Sequence, residues 1–147
     1  QLGVGKTQIF VLLGANLSYP DFDVSKILLT DPKLLEKFLY FTEFLRSEWP
    51  HAQAPKLLQA MHGEMAGFFE IRIQVAKSNY RFFMRPEPES RSVLIVFAAA
   101  AKPRRTGFPR SLYSDVQELW SAFLSTEDRE KLLLEILPLE GLGRQQA

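Results

Sequence analysis

The residues able to do chemistry in this chain are cationic, and they crowd into one stretch. Between Glu70 and Arg110 stand Arg72, Lys77, Arg81, Arg85, Arg91, Lys102, Arg104, Arg105 and Arg110, nine bases against the three acids Glu70, Glu87 and Glu89. Nine less three is a local surplus of six positive charges, in a chain whose formal net charge is +1. Residues 1–69 hold six bases and seven acids, and residues 111–147 hold three bases and seven acids. A basic centre therefore lies between a near-neutral front and an acidic tail. Guanidinium and ammonium groups gathered in this way suit a polyanion, with phosphate first among the candidates. The simpler alternative is a solvated sheet face, on which an Arg72–Glu70 pair is worth under ~1 kcal/mol.

Composition removes several other chemistries. The sequence has no cysteine, which excludes disulfides, thiolate catalysis and the usual structural zinc sites. His51 and His62 show no metal-ligand spacing, so neither a metal nor another cofactor is expected. Gly3-Val4-Gly5-Lys6-Thr7 superficially resembles a phosphate-binding loop, but the earlier glycine of such a loop would fall just before Gln1, and no helix-like stretch of convincing length follows, since Ile9–Leu13 runs into Gly14-Ala15-Asn16 and then Pro20. A strand or an irregular extension is the better reading of that segment. The apolar run Ile9–Leu13 is too short to cross a bilayer. No membrane partner and a cytoplasmic location are the corresponding expectations. At 147 residues and 46% hydrophobic content, the chain can form one domain with a genuine core.

The basic residues must be positioned by strands. Phe69, Ile71, Ile73 and Val75 alternate with Glu70, Arg72 and Gln74, the period of a half-buried strand. Lys77-Ser78-Asn79 is a plausible hairpin turn into Tyr80-Arg81-Phe82-Phe83-Met84, and Pro86–Ser90 interrupts the pattern. Val93–Phe97 is a near-continuous apolar run, as expected of a strand covered on both faces. These patterns place strands at about 68–76, 79–85 and 92–98 in an antiparallel sheet, with a basic loop after the third.

Helices are expected on either side. Asp31-Pro32 reads as an N-cap followed by proline at the first helical position. Leu34, Leu35, Phe38, Leu39, Phe41, Phe44 and Leu45 then recur at helical spacing, to an end near Trp49-Pro50. A short strand is expected at Ser25–Leu29, a second helix at Ala54–Met61, and a delivering loop at His62–Gly67. Ser114 and Gln117 have the spacing of a capping box before the stripe Val116, Leu119, Trp120, Phe123 and Leu124. Another helix is read from Thr126 to Pro138, and residues 141–147 read as a frayed end. The fold class is therefore α+β: N-terminal helices packed on a small antiparallel β-sheet, followed by a C-terminal helix or helices. Residues 1–147 form a single domain in this reading, with a core at 33–125, an N-terminal extension at 1–30 and a C-terminal helix and tail at 126–147.

The segments His62–Arg72, Asn79-Tyr80-Arg81-Phe82-Phe83, Val93–Val96 and Lys102-Pro103-Arg104-Arg105-Thr106, in this order and spacing, resemble the RelE/ParE/HigB superfamily of bacterial toxins. The resemblance spans about residues 33–125. Ala98-Ala99-Ala100-Ala101 departs from it, standing where family members usually carry polar residues. The resemblance implies a RelE/ParE-like fold and a toxin that cuts mRNA at the ribosome without a metal, neutralised by a cognate antitoxin protein.

In that chemistry the ribose 2′-OH attacks the adjacent phosphorus. The protein must move two protons and neutralise the phosphorane, a task suited to clustered cations. The candidate catalytic residues are Lys102, Arg81, Arg72 and Glu70, with Glu70 either orienting Arg72 or acting as the base. Arg104, Arg105, Arg85 and Tyr113 are the candidate RNA-binding residues, with Tyr113 a possible stacking partner for a base. A ParE-like or catalytically degenerate protein, acting only by binding protein or nucleic acid, is the alternative.

Overall fold

The computed structural model describes residues 7–102, 108–109 and 111–135. In chain order the elements are β1 (Gln8–Leu12), α1 (Val24–Leu28), α2 (Pro32–Glu48), β2 (Leu58–Ala60), β3 (Phe69–Val75), β4 (Ser78–Glu87), β5 (Ser90–Lys102), α3 (Ser111–Ser125) and β6 (Leu133–Glu135). The six strands make one sheet in the order β2-β3-β4-β5-β1-β6. Pairing is antiparallel except between β1 and β5, which run parallel.

This architecture overturns the expected α+β class. The chain enters through a strand rather than helices, and the sheet is mixed rather than a small antiparallel one. The cause lies in Gln8–Leu12. Ile9, Val11 and Leu12 are buried, and the segment is hydrogen-bonded between β5 and β6 as an inner strand. It is also short and unalternating, so its sequence does not mark it as one.

Other boundaries differ for local reasons. Residues 24–28 form a helical turn where a strand was expected, because Val24 and Leu28, four apart, bury on one side. The helix expected at Ala54–Met61 is replaced by β2, whose backbone is satisfied by pairing Leu58, Gln59 and Ala60 with Ile71, Glu70 and Phe69. No capping box forms at Ser114. The helix already begins at Ser111, Ser114 Oγ donates to the Ser111 carbonyl, and Gln117 Nε2 donates to the Glu64 carbonyl. In place of a helix from Thr126, a 3-10 turn at Arg129–Leu132 leads into β6, while residues 136–147 lie outside the described residues.

Two expectations are met closely. Asp31 Oδ1 accepts from the Lys33 N–H at 2.9 Å and Pro32 opens α2. The three expected strands are present, although β4 and β5 extend further than read. The β3–β4 turn is Ala76-Lys77 rather than the expected Lys77-Ser78-Asn79, because Ser78 and Asn79 already pair with Val75 and Gln74; Ala76 sits at φ 53°.

The sheet is covered on both faces. Leu34, Phe38 and Leu45 of α2 pack with Ile71, Ile73, Phe82, Met84, Leu94, Val96 and Ala99 on one face. Leu112, Val116, Leu119, Trp120 and Phe123 of α3 pack with Phe83, Ile95, Phe97 and Ala98 on the other. Phe97 and Ala98 are consecutive, yet they face the same side. The β4–β5 register explains this: Phe83 pairs with Ala98 and Met84 with Val96, leaving Phe97 as a β-bulge. Beyond the bulge, the residues opposite Arg81 and Asn79 are Ala100 and Lys102. Directly opposed residues share a face, so the bulge sets Lys102 on the α3 side with Arg81. No helix among the described residues is long and apolar enough to cross a membrane.

Candidate nucleic-acid interface

Three rows of cross-strand neighbours form the site on the α3 face of β3, β4 and β5. The first row is Glu70, Phe83 and Ala98; the second is Arg72, Arg81 and Ala100; the third is Gln74, Asn79 and Lys102. Arg72, Arg81 and Lys102 are thus brought onto one face in adjacent rows. Alanines on β5 make this possible, since Ala98 and Ala100 leave room over the sheet where longer side chains would stand. The alanine run that departs from the toxin pattern has a structural use here.

Glu70 is the centre of the arrangement. It is 2% exposed, and its Oε1 accepts a hydrogen bond from Arg72 Nε at 2.7 Å while standing 2.8 Å from Arg81 Nη1. Oε2 is buried and has no hydrogen-bond partner among the described residues. A carboxylate out of water needs compensation, and two guanidiniums on one oxygen supply it. The reverse also holds. Arg72 and Arg81 are directly opposed across the strands, a repulsive placement for like charges, and Glu70 bridges them. The surface-pair alternative for Glu70 and Arg72 is therefore set aside.

Arg81 is 16% exposed at the side chain and Arg72 40%. The Phe108 ring lies over the Arg81 guanidinium with 5.2 Å from Cζ to the ring centre. Sequence reasoning missed Phe108; an aromatic two residues after Thr106, at the end of the basic loop, was the available signal. Lys102 is exposed, with no ion-pair partner among the described residues.

Arg85 and Tyr113 do not join the cluster. Arg85 stacks on Phe68 at 4.4 Å and on Trp120 at 5.8 Å, with Gly67 against its guanidinium. A Cβ on Gly67 would meet Arg85 Nη2 at 3.0 Å, so the stacked guanidinium would have to give way, and the φ of 95° itself favours glycine. Arg85 is a packing cation. Tyr113 packs edge-on against Phe83 at 6.1 Å, so its ring already has a partner. Arg104 and Arg105 lie outside the described residues.

The geometry offers one exposed ammonium and one oriented guanidinium side by side, above a buried carboxylate, with an aromatic ring at the rim. It can receive a phosphate and place a proton-bearing group beside it. Among the described residues, no group of three or more His, Asp or Glu side chains is placed to hold a metal ion. No protein-family model matches the chain, and neither a curated protein nor a solved structure matches it.

Proposed function

We propose that the chain is a toxin of the RelE/HigB kind in its activity, cutting RNA at the ribosome without a metal and neutralised by an antitoxin protein. One observation carries the reading: Arg72, Arg81 and Lys102 share one face in adjacent rows. The six-stranded architecture plays no part in it, since fold does not fix function. The 2′-OH attacks the neighbouring phosphorus and loses its proton, and the 5′-oxygen leaves and gains one. The products are a 2′,3′-cyclic phosphate and a free 5′-hydroxyl. Arg81 neutralises the phosphorane oxygens, Lys102 moves a proton at the reacting oxygens, and Arg72 adds positive potential. Arg104 and Arg105 extend the phosphate contacts.

The test combines inducible expression, following translation and RNA integrity in parallel, with single-turnover cleavage by purified protein. Lys102→Ala and Arg81→Ala are each expected to slow cleavage about 10²–10³-fold while changing RNA affinity by far less. Parental rates in both variants would make these residues mere positioning groups.

A second reading is favoured by the commitment of both arginines to Glu70. In it the face only docks on RNA, and the parent protein binds RNA without cutting it.

A further inference from the structure

We infer that Glu70 is a positioning residue of this face: its buried carboxylate fixes the Arg81 guanidinium for the transferring phosphate and does not itself take the proton. The inference rests on the RNA-cleaving reading above and assigns Glu70 a role within it.

Accessibility argues first against a base. A general base must come within about 2.6–3.2 Å of the hydroxyl it deprotonates, directly or through one water. Glu70 is 2% exposed and its Oε2 is buried, while Oε1 is taken by Arg72 and Arg81. A ribose hydroxyl has no approach to either oxygen without displacing an arginine.

Charge placement argues next for a holding role. Arg72 and Arg81 face each other across β3 and β4, so without the carboxylate their side chains repel and splay. Glu70 draws both inward to one oxygen. Arg81 is then held from two sides, by Glu70 at 2.8 Å and by the Phe108 ring at 5.2 Å. Only Nη1 is engaged by an acid among the described residues, and the other N–H donors of the five-donor fork meet no acid there. A guanidinium held this way needs little reorganisation when charge develops on a phosphate, and such preorganisation is what accelerates the step.

The experiment uses the full chain and a labelled single-stranded oligoribonucleotide of mixed sequence, free and on purified ribosomes. Single-turnover cleavage at saturating protein and equilibrium binding at several salt concentrations are measured for the parent, Glu70→Gln, Arg81→Ala and the double variant. Glu70→Gln keeps the shape and removes the charge. It is expected to cleave about 10²–10³-fold more slowly while binding RNA at least as tightly as the parent. Its salt dependence should steepen by about one phosphate contact, because a released arginine becomes available to the backbone. Added to Arg81→Ala, Glu70→Gln should cost nothing further, since it acts through Arg81.

Parental cleavage by Glu70→Gln would overturn the inference, as would an undiminished loss in the Arg81→Ala background, the mark of a residue with its own proton to move. If Glu70→Gln does not fold, Glu70→Gln/Arg72→Gln replaces it, because removing one arginine relieves the repulsion. The same loss of cleavage is expected, and parental cleavage by this pair overturns the inference equally. A parent that does not cut RNA defeats the proposed function and this inference together. A parent that cuts, beside a variant that cuts equally well, defeats this inference alone.

Discussion

Arg81 and Arg85 stand four residues apart on the same strand and face, yet they are held by opposite means. Arg81 is gripped by a carboxylate and lies beside the exposed end of β5, whereas Arg85 is gripped by the faces of Phe68 and Trp120 and by the flat backbone at Gly67. The first arrangement fixes a direction and leaves donors for a ligand. The second spends the flat guanidinium on packing between α3 and the loop before β3. A surplus of arginines on a strand therefore does not measure the size of a binding site. What surrounds each guanidinium decides whether it faces a ligand or the protein.

The largest effect expected from breaking this contrast comes from Glu70→Ala. Removing the acid leaves two opposed, partly buried cations, and stability should fall by about 3 kcal/mol, at the low end for a broken buried pair because Arg72 remains partly solvated. Urea denaturation reads this as a lower midpoint. Arg85→Ala should have a smaller cost, about 1 kcal/mol from lost cation–π contact and stem packing. It should leave the salt dependence of RNA binding unchanged, whereas Arg81→Ala reduces that slope by about one phosphate. An equal slope change in both variants would erase the distinction between the two arginines. Smallest is Ala76→Gly in the turn that sets Arg72 opposite Arg81. Ala76 sits at φ 53°, where a Cβ is strained, so glycine should raise the melting midpoint, by about 1 kcal/mol in free energy.

Sequence and structure agree where a pattern had one explanation. Alternation at Phe69–Val75 and the helical stripe from Leu34 to Leu45 each named their element and the face it buries. Asp31-Pro32 marked its helix start for a reason that the Lys33 hydrogen bond makes explicit. The N-terminal strand was not legible in the same way, because five largely apolar residues acquire strand character only from the neighbours that pair with them. β2 and β6, three residues each, are strands for the same non-local reason. At the site, alternation put Arg72 and Arg81 on neighbouring strands, but their common face needed the register that pairs them, and nothing in the alternation showed that Glu70 would be buried beneath them. That burial comes with strand pairing that sets Glu70 between Gln59 and Phe83, each more than ten residues away in sequence.

The bulge at Phe97 turns the identity of the basic face into a question of parity. Two consecutive residues of β5 point the same way, and every residue after them is counted in the opposite frame from those before. Closing the bulge, with Phe97 paired to Phe83 and no residue removed, would change no charge. It would nevertheless carry Lys102 to the α2 side of the sheet and bring Ala101 into the row it left. The bulge, rather than composition, thus keeps the lysine beside the arginines, so a one-residue slip of register beyond Val96 is enough to disarm such a face with every one of its cations still present.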